Sequence, residues 1–145
     1  MKLLSYWRSL FWSVFMLLAF TIPASSMPSV SKFYFPHFDK VVHFALFGVL
    51  TLLLLYETRS LKPSANVFAA KGTLYASAIS LFYALAIEGL QLYFIPTRTG
   101  SLADLGANLL GIICAIVAFG FAKRKLSILR VAGEALIRII YYFYL

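Results

Sequence analysis

Four apolar runs, 7–24, 41–56, 73–95 and 102–122, follow one another along the chain, and prolines, glycines and charges collect mainly in the segments between them. Crossing a hydrocarbon core takes about 20 predominantly apolar residues in helical form. Each run is therefore predicted to be a membrane-spanning helix, the second short and the third long, so that their tilts differ. The polar residues inside the runs keep helical spacing. Ser80, Ala84 and Glu88 recur every four residues, which puts a glutamate on the face whose small side chains let a neighbouring helix approach. In the fourth run Ala103, Ala107, Gly111 and Ala115 form a small-residue stripe with Asp104 and Asn108 beside it. Gly48, Gly89 and Gly106 add places where backbones can come close.

Beyond residue 122 the pattern changes. Lys123-Arg124-Lys125 closes the fourth run, and Arg130, Glu134 and Arg138 then recur every four residues in a segment that is otherwise mostly apolar. Charges at mid-membrane cost about 2.5–3.5 kcal/mol each. A basic amphipathic helix over 123–145, lying on the inner surface against anionic lipid, avoids that cost; a fifth span is the alternative. The predicted fold is all-α: one polytopic membrane domain over 1–145, built as a four-transmembrane-helix bundle with a C-terminal amphipathic helix.

Composition supports this class. The chain is 62% hydrophobic and 12% charged, and its mean hydropathy of +0.88 lies outside the range of soluble domains. In a soluble protein a net charge of +8 would point to nucleic acid. Here the cations sort by side of the membrane instead, and no nucleic-acid partner is expected. With the N-terminus inside, only Lys32, Lys40 and Arg98 of the 13 Lys and Arg fall outside, a bias that places both termini in the cytoplasm. Residues 1–24 also resemble a secretory signal, but the apolar run is long for a signal core and is taken as an uncleaved anchor. The single cysteine, Cys114, has no disulfide partner and is expected to face lipid or a helix.

Alternating span direction brings most of the polar residues of the runs to one end. Asp39, Lys40 and His43 open the second run, Glu88 and Gln91 lie near the end of the third, Arg98 lies in the connection, and Asp104 and Asn108 open the fourth. Glu88 is expected to be the deepest charge, with His43 and Arg98 as its available cationic partners. Two helix N-termini, with free N–H groups and positive dipole ends, meet there beside Lys40 and Arg98, which suits a phosphate or carboxylate. Acidic neighbours can act as bases or orient the cations. The same residues also suit a polar clamp between helices. Asp39 and Ser101 fit the N-caps of the second and fourth runs.

A metal set from His43, Glu88 and Asp104 is chemically conceivable but lacks the HExxH or paired-histidine spacing, so no metal is expected. No nucleophile motif is present, and no cofactor is implied. The outer loop carries an aromatic cluster, Phe33-Tyr34-Phe35, suited to the headgroup level, and a solvated His37. The segment from Glu57 to Gly72 is expected to be a basic cytoplasmic loop without a catalytic pattern.

Asp39-Lys40-x-x-His43-Phe44, Glu88-x-x-Gln91, Arg98-x-x-Ser101-x-x-Asp104 and Asn108-x-x-Gly111 together resemble the VanZ-like family of bacterial membrane proteins, over about residues 39–122. The resemblance implies a small multi-span protein of the cytoplasmic membrane, associated in the family's namesake with tolerance of a glycopeptide antibiotic, teicoplanin. The functional expectation is an outward-facing polar pocket that binds or modifies an anionic envelope component such as a lipid-linked phosphate, with membrane lipids as partners. A structural or partner-binding module and a small proton-coupled transporter are the alternatives.

Overall fold

The computed structural model describes residues 3–21, 37–58, 70–94 and 101–144, and all regular structure among them is helical. A short 3-10 helix, Leu3–Tyr6, leads into α1, Trp7–Thr21. Then follow α2, Phe38–Thr58, α3, Lys71–Phe94, and α4, Leu102–Tyr144. Three stretches are long and apolar enough to cross a membrane: α2, α3 and the Leu102–Leu129 part of α4. The helix in the first run, α1, is a shorter apolar helix of 15 residues, about 22 Å long at 1.5 Å per residue. The aromatic cluster at 33–35, the basic connection at 59–69 and the connection at 95–100, with Arg98, lie outside the described residues.

Helix ends depart from the apolar runs because polar residues there satisfy backbone groups. The N–H groups of Lys40 and Val41 donate to the His37 carbonyl at 3.1 and 3.4 Å, so α2 starts at Phe38 and takes Asp39 and Lys40 into its first turn. Asp39 is thus not the cap; it lies inside the turn, where it suits the positive end of the dipole. His37 is exposed and holds φ 67°, a conformation that His tolerates better than most residues. At the start of α4, Ser101 is the cap: its Oγ accepts the Asp104 N–H at 3.1 Å. The far end of α2 includes Glu57 and Thr58, which are helical rather than part of a loop.

No break separates the fourth apolar run from the segment beyond residue 122. The helix continues through Lys123, Arg124 and Lys125 as one 43-residue element, about 64 Å long. Those three residues are good helix formers and no proline follows them. Residues 121–129 are all exposed.

The bundle is organised around α2. Its inward side carries His43, Phe47, Leu50, Thr51, Leu54, Leu55 and Thr58 at alternating three- and four-residue steps. Small residues bring α3 against it: a Cβ on Gly72 would lie 2.6 Å from the Thr58 carbonyl oxygen, and Thr51 Oγ1 donates to Ser80 Oγ at 3.0 Å. At Gly111 α4 comes equally near, where a Cβ would run into the Phe44 carbonyl oxygen. These contacts set α2 and α4 side by side with their N-termini at one end, while α1 and α3 run the opposite way. Large apolar side chains such as Phe11, Phe82, Leu85 and Leu110 cover the outside, a surface that lipid solvates.

The small-residue stripe of α4 is only half used. Gly111 and Ala115 are buried but Ala103 is exposed, and the buried line continues upward through Asn108 and Asp104. A strict four-residue step overshoots the 3.6-residue turn and winds around the helix, so the stripe leaves the contact within three steps. Gly89 and Gly106 meet nothing within 4 Å and make no close approach.

Glu57 holds α1 in place, a role that sequence reasoning missed. Its Oε1 accepts the N–H groups of Arg8 and Ser9 at 3.1 and 3.4 Å, and its Oε2 accepts the Ser9 hydroxyl at 2.6 Å. A carboxylate from one helix thereby caps the N-terminus of another. Trp12 Nε1 donates to the Leu46 carbonyl at 3.1 Å, and the Tyr83 hydroxyl donates to the Ser13 carbonyl. The only sequence signal for this role is an acid at the edge of an apolar run.

Candidate functional site

The first two turns of α2 and α4 and the last two turns of α3 carry the polar residues of the runs to the same end of the bundle. Lys40, in the first turn of α2, reaches across to Asp104 at 3.0 Å and also pairs with Asp39 at 2.9 Å. One turn deeper, His43 Nδ1 lies 3.0 Å from Asn108 Oδ1 and 3.4 Å from Glu88 Oε1. The other end of the same carboxamide, Asn108 Nδ2, donates to Glu88 Oε1 at 3.2 Å. Asn108 is fully buried and bonds to both ionisable groups.

Glu88 also caps α4. Its Oε2 accepts the Ser101 N–H at 3.3 Å. In a capping box an acid three residues after the cap takes that N–H. Here Asp104 has that position, but α3 supplies the acceptor instead, which leaves the Asp104 carboxylate for Lys40. Two layers result: an ion-paired layer of Asp39, Lys40 and Asp104, and below it the His43–Asn108–Glu88 cluster.

Side-chain exposure falls from 58% at Asp39 through 31% at Lys40 to 12% at Glu88, 11% at Asp104 and 4% at His43. Asp104 is therefore as covered as Glu88, although Glu88 lies in the deeper layer. Of the two partners expected for Glu88, His43 lies beside it, with Nδ1 3.4 Å from Oε1, while Lys40 is engaged by the two aspartates. Arg98 lies outside the described residues.

Gln91 leaves the group. Its Nε2 donates to the Phe20 carbonyl at 3.3 Å, tying the end of α3 to the end of α1. Three residues on a helix turn a side chain through about 300°, enough to move Gln91 to the neighbouring seam. The Phe20 ring packs on the His43 ring with centroids 4.5 Å apart, so α1 closes the inner side of the site. Among the described residues no set of three His, Cys, Asp or Glu side chains is arranged to hold a metal ion, and the conceivable His43, Glu88 and Asp104 set is not assembled as one. Cys114 is exposed and lies away from the site. Chemically, the arrangement offers one ammonium, three carboxylates and an imidazole whose Nδ1 is held by a buried amide.

No curated protein and no solved structure matches this chain. The family model described as VanZ/LLP1 matches residues 3–123. That span is wider than the motifs at 39–122: it takes in α1 and the site, and it ends where α4 leaves the bundle. With the greater part of its length matched, the chain belongs to the VanZ/LLP1 family.

Proposed function

We propose that this VanZ-like protein sits in the bacterial cytoplasmic membrane with both termini in the cytoplasm and uses the polar end of α2, α3 and α4 to bind, or act on, the head group of an anionic envelope lipid such as a lipid-linked phosphate. The observation that carries this reading is the graded exposure of the converging groups, from Asp39 at 58% to His43 at 4%. A polar file that begins at the surface and ends inside the bundle suits a head group entering from the membrane face. Lys40 supplies positive charge at the entrance, and Arg98, three residues before the Ser101 cap in sequence, is a second candidate. A link to glycopeptide tolerance rests on the family resemblance alone.

A purely structural role is the second reading, and a specific observation favours it: Lys40, Asp104, Asn108 and Glu88 already partner one another. Interhelical hydrogen bonds of this kind contribute about 0.6 kcal/mol each in membranes, up to ~1.7. The transporter alternative is less well supported. Phe47, Ala84, Ile87 and Ile112, all at most 3% exposed, form an apolar layer between the site and the Thr51–Ser80 pair.

Glu88→Gln separates the first two readings, because it removes the charge while keeping size and an acceptor. Lipid co-extracted with the purified protein is identified by mass spectrometry, and thermal unfolding is followed on the same samples. Loss of a specific anionic lipid with near-native stability is expected. Early unfolding with unchanged lipid content would show the cluster to be a clamp.

A further inference from the structure

The carboxamide of Asn108 has two unlike ends, and its neighbours determine which end faces which. Asn108 Nδ2 lies 3.2 Å from Glu88 Oε1, while Glu88 Oε2 accepts the Ser101 N–H at 3.3 Å. The Ser101 N–H fixes Oε2 as an acceptor, and with Glu88 ionised Oε1 accepts as well, from Asn108 Nδ2 and within 3.4 Å of His43 Nδ1. The amide end facing Glu88 is then the NH2, and the end facing His43 is the carbonyl oxygen, 3.0 Å from Nδ1. A carbonyl oxygen can only accept, so Nδ1 must carry the proton. A neutral imidazole has one N–H, and its Nε2 is then left with a lone pair. Asn108 is fully buried, which shields both ends from bulk water.

We infer that Asn108, held by Glu88, is a positioning residue that sets His43 in its Nδ1–H tautomer, so that Nε2 is presented as a hydrogen-bond acceptor for a hydroxyl of the lipid head group. The ligand half of this statement rests on the lipid-site reading above; the tautomer half does not. Among the described residues Nε2 has no hydrogen-bond partner, although the side chain is only 4% exposed. A buried acceptor is costly when left unpaired.

This acceptor narrows the ligand class. A fully ionised phosphate has no hydrogen to offer it, and the carboxylates of Asp39, Glu88 and Asp104 are acceptors too. The cluster therefore fits a head group that carries hydroxyls beside its phosphate, of the glycerol-phosphate or sugar-phosphate type. In that fit the ammonium of Lys40 meets the charge, and His43 with the carboxylates meets the hydroxyls.

The reverse arrangement is chemically distinct. If Glu88 carried a proton, the amide would turn over, its NH2 would face Nδ1, and the ring hydrogen would sit on Nε2. Imidazole nitrogen-15 NMR separates the two. His37 is the only other histidine and is exposed just before α2 with φ 67°, a conformation asparagine accepts, so His37→Asn leaves a single reporter.

In phosphatidylcholine nanodiscs the His37→Asn protein is expected to show a protonated Nδ1 and an unprotonated Nε2. Phosphatidylglycerol should move the Nε2 signal, whereas phosphatidylmethanol, which has the same charge and no hydroxyl, should not. Asn108→Leu should lose the tautomer preference, and Asn108→Asp, which keeps an acceptor facing Nδ1, should restore it. A protonated Nε2 in the parent protein, or an Asn108→Leu protein that keeps the Nδ1–H form, overturns the positioning role while leaving the lipid site standing. The Nδ1–H form with no response to phosphatidylglycerol, or an equal response to phosphatidylmethanol, overturns the hydroxyl-accepting role. Should Asn108→Leu fail to fold, the parent protein's two nitrogen signals still decide the tautomer.

Discussion

Replacing Gly111 by alanine should loosen the α2–α4 contact and, through it, the site. Alanine gains up to ~1 kcal/mol of helix propensity over glycine. Against this, the new methyl would run into the Phe44 carbonyl oxygen and lie 3.1 Å from both Gly48 N and the Phe44 carbonyl carbon. All three atoms are α2 backbone, so no side chain can rotate away, and the overpacking cost belongs at the upper end of about 1–3 kcal/mol. Relief requires the helices to part. Asn108 lies one turn from Gly111, and its 3.0 Å bond to His43 spans the same interface, as does the 3.0 Å Lys40–Asp104 pair. Weakening these bonds adds about 0.6 kcal/mol each. The net expectation is a loss of about 1–3 kcal/mol. Gly106→Ala on the same helix and Gly89→Ala on α3 meet nothing within 4 Å and should be neutral or stabilised. Gly48→Ala makes an ordinary 3.5 Å contact and should resemble these two controls. Reversible unfolding of the four variants in mixed detergent micelles compares them directly. A Gly111→Ala protein as stable as Gly106→Ala would refute the close backbone crossing.

Glu57→Ala removes the shared acceptor of the Arg8 and Ser9 N–H groups and of the Ser9 hydroxyl, and loss of a cap costs about 0.5–2 kcal/mol. Hydrogen exchange should accelerate at the start of α1 and stay unchanged in α3 and α4; uniform exchange throughout would contradict the anchoring role. Cysteines introduced at Ser31 and Thr99 in a Cys114→Ser background should react with an impermeant maleimide added outside, and one at Ser64 should not. The opposite pattern would invert the proposed topology. Truncation after Lys125 should leave an inserted, folded protein that is held less tightly by anionic lipid, because it removes the apolar and charged residues beyond the basic cluster. An extracytoplasmic signal from a reporter placed after Leu145 would instead establish a further span.

Much of the architecture is already local information. Run length and hydropathy suffice to place α2, α3 and the membrane-length part of α4, and alternating helix direction suffices to bring Asp39, Lys40, His43, Glu88, Asp104 and Asn108 to one end. Ser101 reads as a cap from its position alone, and it is one. Which polar residues meet is a different matter. Nothing in the spacing says that Asn108 bonds to both His43 and Glu88, that Gln91 turns to Phe20, that Lys40 is shared by two aspartates, or that Glu57 secures α1. The reason lies in the solvent. A helix in water marks its buried face by contrast with a polar one, whereas a helix in lipid is apolar on both sides and its rotation about its own axis leaves little trace in the sequence. That rotation is set by where backbones can approach, at Gly111 against Phe44 and Gly72 against Thr58, and these contacts exist only once the helices have packed.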